Sequence, residues 1–191
     1  GFGTDMNSGD GETVNYSMAE RIARQNIGQA AGPKSEDTQA VAESVRLAEL
    51  WLDEATTLPA GATGSVAFGP TQWLEETMPT WKRIITPLAE KLGDASLSAM
   101  PEEMRGQLGP VESIMKQVNS MNFGAQLGNT LGELAKGVVL STQWGMPLAT
   151  GRTAAIATAH LDELSKKLGA GNRETLIYLA AREAAHHRLF Q

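Results

Sequence analysis

Apolar residues recur along this chain at steps of three and four, the period of a helix with one face turned inward. Met18, Ile22, Ala19 and Ala23 give a first such side over Tyr16 to Gln29, and Ala31-Gly32-Pro33 stops it. Ser35 reads as the N-cap of a second helix, with Glu36 and Asp37 at its positive end. Val41, Val45, Ala48, Leu52 and Ala55 form its stripe, widened by Leu47 and Trp51. Leu58 to Pro70 is rich in glycine and proline and reads as a loop. Its Val66-Ala67-Phe68 run could be extended, but one short run does not make a sheet.

Trp73, Met78, Trp81, Ile84, Ile85, Leu88 and Leu92 define the next helical region. Pro79 and Pro87 are expected to kink or divide it, and Gly93 to end it. Trp51, Trp73 and Trp81 are expected to be core anchors rather than a ligand box. Pro101-Glu102-Glu103 suits a first helical turn. From Val111 through Ile114, Met115, Val118, Met121, Phe123, Leu127, Leu131 and Leu134 to Val138 the periodicity runs on.

Gly124, Gly128 and Gly132 lie along one edge of that helix. Each weakens an isolated helix by roughly 1 kcal/mol relative to alanine, so together they predict the close approach of another helix, within the chain or between subunits. Trp144-Gly145-Met146-Pro147 reads as a turn and Arg152 to Leu168 as a further helix, with His160 structural or facing solvent. Asn172 is the expected cap of a last helix that runs to Phe190.

The fold class that follows is all-α: an irregular multi-helix bundle with long loops, expected to be the N-terminal portion of a larger helical protein. Residues 1–15 read as a flexible tail and 16–191 as one helical domain; any division into two lobes falls near 94–100. Composition alters this little. The 41 % hydrophobic content suits a globule, and the net charge of −6, with no basic run, argues against nucleic-acid binding. With no cysteine there is no disulfide or thiolate metal site. No stretch approaches the roughly 18–20 apolar residues that span a bilayer. Cytoplasm is the expected compartment.

Chemistry concentrates in the last helix. On a helical wheel Glu183 and His187 fall among Leu176, Leu179, Ala180 and Phe190, with His186 at the edge. A carboxylate on an apolar face needs partners or a raised pKa, and His186 and His187 lie three and four residues on. Arg182 and His186 form a second pair at that spacing. The plain interpretation is an Arg/Glu/His network that orients the helix end. The sharper one starts from the H-E-x-x-H zinc motif, in which two imidazoles hold the metal and the glutamate polarises water. Here Arg182 stands at the first ligand position, and a guanidinium has no lone pair to give.

The stretch Leu179–Phe190 resembles the LREAAHxRLF signature of an actinobacterial family of zincin-like metallopeptidases. The segments Met121–Gly132 and Gln143–Leu148 also resemble that family's glycine-spaced helix and the turn after it. The resemblance implies a zinc-dependent, peptidase-like hydrolase. Glu183 would be the catalytic candidate and His186 the metal candidate, with Arg182, His187 and Arg188 in support. Members continue past this segment into further helices, so zinc is expected in a full-length protein and none in this chain, which would be inactive alone. A peptide substrate or a protein partner is implied. The alternative is a non-catalytic helical scaffold that self-associates or binds a partner through the Gly124/Gly128/Gly132 face.

Overall fold

The computed structural model describes residues 12–30, 32–143 and 151–190. Within them the order is α1 (Tyr16–Ile27), α2 (Ser35–Ala55), β1 (Gly64–Phe68), α3 (Pro70–Ser98), α4 (Glu102–Arg105), α5 (Gly109–Gly137), β2 (Thr153–Ala157), α6 (Leu161–Leu168) and α7 (Asn172–Leu189). The architecture is an irregular multi-helix bundle with one small open sheet. Backbone contacts divide it into two units: Gly1–Gly28 with Met78–Glu133, and Gln29–Thr77 with Leu134–Gln191. The Trp144–Pro147 turn and most of the N-terminal tail lie outside the described residues.

In the first unit, Asn15 caps α1 by accepting from the Met18 amide at 2.9 Å. The helix ends at Ile27, where Gly28 takes φ 65°, two residues before the expected stop. The glycine edge of α5 is covered by α1. A Cβ at Gly128 would stand 2.6 Å from the Ala19 carbonyl oxygen, and one at Gly132 2.7 Å from Asn26 Cβ. At Gly124 it would collide with the Asn15 carbonyl. Asn26 Nδ2 donates to Asn129 Oδ1 at 2.9 Å beside this contact.

α3 passes through Pro79, Pro87 and Gly93 without dividing and ends at Ser98. Each proline removes one helix hydrogen bond, while buried Met78 and Ala89 keep the helix seated on either side of that defect. The apolar periodicity of this unit is only partly a core signal. Ile84, Leu88 and Leu92 of α3 are exposed, as are Val111, Ile114, Met115 and Val118 of α5.

In the second unit, Val41, Val45 and Ala48 of α2 pack with Leu176, Leu179 and Ala180 of α7. Trp73 is buried here, but Trp51 is 52 % exposed and is no core anchor. Ser35 is the first residue of α2 rather than its cap; Asp37 closes the turn by accepting from the Lys34 amide at 2.9 Å. Asn172 likewise begins α7, whose cap is Gly171, and donates its side-chain amide to Asp162.

The largest departure from the sequence pattern is at 153–157, expected as helix and found as strand. β2 runs parallel to β1 in register from Gly64↔Thr153 to Phe68↔Ala157, and Leu140 bridges Ile156 on the other side. The Val66-Ala67-Phe68 run thus finds a partner far along the chain. Alanine favours helix locally, yet Ala154 and Ile156 alternate onto the α2/α7 core beside Ala67, and that burial outweighs the local preference.

Candidate site on the last helix

One side of α7 faces the core, and the period that buries Leu176, Leu179 and Ala180 carries Glu183 and His187 inward with them. Glu183 is fully buried. Its Oε1 accepts from the Ser141 hydroxyl, from the Ala155 amide at 3.0 Å and from His187 Nε2 at 3.3 Å. Its Oε2 accepts from the Thr142 hydroxyl at 2.5 Å and the Thr142 amide at 3.2 Å. One carboxylate thereby ties α7 to β2 and to the segment just before it. Desolvation alone would raise its pKa. The bonds from His187, Ser141, Thr142 and Ala155 outweigh that and hold it below the ordinary 4.5.

Arg188 forms a second buried anchor. Its guanidinium donates to Glu49 Oε2, to Asp53 Oδ1 at 2.7 Å and to the Leu58 carbonyl at 2.7 Å, joining α7 to the end of α2. Burial would lower its pKa, but these two carboxylates carry it above its ordinary value. Glu49 Oε1 is buried without a hydrogen-bond partner. Close by, a Cβ on Gly61 would run into the His187 carbonyl, so only glycine lets the loop pass α7.

The other histidines differ. His186 is half-buried, and its Nδ1 lies 3.0 Å from the Arg182 carbonyl. Arg182 thus meets His186 through its backbone, while its side chain is exposed. His160 caps α6, with Nε2 2.9 Å from the Lys136 carbonyl and Nδ1 3.6 Å from Glu163.

Zinc requires about four donors, at least three of them from protein. Among the described residues no group of three or more His, Asp or Glu could hold a metal. Both Glu183 oxygens are engaged, and His187 is buried with its Nε2 turned to Glu183, so of the two histidines on this helix His186 is the more accessible. These residues do not make a zinc site. What they make is a buried, hydrogen-bonded seat for α7.

Sequence reasoning placed Glu183, His187 and Arg188 together on one helix, and missed Ser141, Thr142, Glu49 and Asp53. Nothing local marks those four, whose partners lie 41 to 139 positions away.

A profile of a family described as zincin-like metallopeptidases matches residues 14–191. No curated protein matches the chain. Among solved structures, one from Chloroflexus aurantiacus, described as a candidate hydrolase with a novel fold, aligns with a TM-score of 0.69 at 16 % identity. That alignment covers 93 % of this chain and 53 % of the other, so this chain spans about half the length of that relative. At this identity the likeness is one of fold.

Proposed function

Because this chain belongs to the family of zincin-like metallopeptidases, we propose that the protein is a peptidase-like hydrolase in which the present residues supply the scaffold and one ligand candidate, His186. The observation that carries this reading is the state of the His186 ring. With Nδ1–H given to the Arg182 carbonyl, the tautomer is fixed and Nε2 keeps its lone pair on a half-buried ring. Metal-binding histidines are usually oriented by such a backbone carbonyl. Glu183, one turn before His187, positions the helix that holds His186. To act as a base it would first have to exchange its present partners for water.

Peptides are the proposed substrates and the cytoplasm the proposed compartment, with an actinobacterial affiliation resting on the Leu179–Phe190 motif. Among the described residues no helix is long and apolar enough to cross a membrane. The close approach of α1 to Gly124, Gly128 and Gly132 favours packing within the chain over a scaffold that docks partners through that edge.

The test is the zinc content of the protein in its full encoded length, purified near neutral pH without chelator. One zinc per chain that disappears in His186→Ala, with the fold retained by circular dichroism, supports the reading. A folded protein without metal, or His186→Ala binding zinc as before, sinks it.

A further inference from the structure

The β1/β2 sheet has two faces, and only one is used by the core. Ala67, Ala154 and Ile156 point to α2 and α7. On the opposite face Val66, Phe68, Thr153 and Ala155 line a cleft of about 250 Å³, whose other wall is the start of α3 with Gln72, Trp73 and Glu76. Ser141 also lines this space. We propose that this cleft binds an alkylammonium or guanidinium group carried on a short aliphatic stem.

The argument is one of complementarity. Val66, Phe68 and Trp73 offer apolar and aromatic surface to a stem, and aromatic faces attract cations. Glu76 and Ser141 place acceptors on the lining. Ser141 has committed its proton to Glu183, which leaves oxygen lone pairs for a donor in the cleft. Glu76 is an exposed carboxylate with no ion-pair partner among the described residues, one helical turn from the Gln72 amide. Arg152, the cation next to Thr153 in sequence, is held by the Gly61 carbonyl at 2.7 Å. An anion in the cleft would meet the Glu76 carboxylate and find no cation among its lining residues. The volume suits one lysine- or arginine-sized group and not a nucleotide. The proposal does not depend on the zinc reading.

Two sources share this chemistry, a free alkylamine and a basic side chain of a peptide. Calorimetric titrations of the full chain with cadaverine, with lysine blocked at both ends, and with identically blocked norleucine separate them. Both amines are expected to bind at least tenfold more tightly than norleucine, with that preference lost in Glu76→Gln and weakened by salt. Stronger binding of blocked lysine assigns the cleft to a peptide side chain, and stronger binding of cadaverine to a free amine. Equal affinity for norleucine, an unchanged preference in Glu76→Gln, or no binding of either amine by the folded protein overturns the proposal. Glu76 is exposed, so the variant is expected to fold.

Discussion

The Ser141 hydroxyl donates to Glu183 Oε1 across 42 positions of sequence, in a place where both residues are buried. Together with Thr142, Ala155 and His187, that bond makes Glu183 the point where α7, β2 and the segment before β2 are joined. Replacing it with alanine would leave several buried donors without an acceptor. The expected cost is about 3–5 kcal/mol, as for other buried charges stripped of a partner. Urea denaturation of Glu183→Ala measures it directly, and a loss below about 1 kcal/mol would show that the network contributes little.

The same carboxylate sets an acid limit. Its folded-state pKa lies below the ordinary 4.5, so the folded state holds its proton less readily than the unfolded one. The stabilisation is therefore complete above the unfolded pKa and is lost as pH falls through the folded one. Stability of the wild type is expected to be flat from this group near neutrality and to decline below about pH 4.5. In Glu183→Gln, which cannot titrate, the decline should be shallower. Parallel acid profiles of the two proteins would count against this assignment.

At Gly128 the neighbour of any new side chain is the Ala19 carbonyl and Ile22 Cβ, at 2.6 and 2.8 Å. Backbone cannot move aside as a flexible side chain can, so Gly128→Ala forces α1 and α5 apart. A loss of about 1–3 kcal/mol is expected for such overpacking. Gly93→Ala is the control, since a Cβ there meets nothing within 4 Å, and a helix-interior glycine replaced by alanine should gain about 1 kcal/mol. Thermal melts of the pair read both signs.

Arg188→Lys keeps the charge but loses the planar fork that reaches Glu49, Asp53 and the Leu58 carbonyl together. About 2–3 kcal/mol of stability should be lost, the worth of one or two charged hydrogen bonds. Hydrogen exchange at the ends of α2 and α7 should rise with it. Unchanged protection there would mean that the helices are held by their apolar contacts alone.

How far the sequence foretold these features depends on how local their causes are. The Val41/Val45/Ala48 stripe and the inward face of α7 were legible because a helix writes its burial at a fixed period. The zincin-like family was legible too, and a profile of that family matches residues 14–191. β2 was not, because Thr153–Ala157 becomes a strand only by pairing with Gly64–Phe68. The exposure of Trp51 and Ile114 was equally hidden: periodicity says which residues share a side, not what lies opposite. For Glu183 the sequence showed that partners were required, and could name only those on its own helix.

The pairing of β1 with β2 also bears on how the chain reaches its native state. The loop just before β1 meets β2 where the Thr63 hydroxyl donates to the Arg152 carbonyl, 89 positions apart in sequence. Closing a flexible loop of that size costs on the order of 4 kcal/mol of chain entropy before any contact repays it. During synthesis, residues 29–77 emerge with half a core and must wait for residues from 134 onward to complete it. Contacts so distant predict slow folding, with an apolar α2 surface left open in the interval. The short sheet that seats Glu183 is thus the part of this molecule most dependent on time, and the place where a crowded ribosome or a missing chaperone would first be felt.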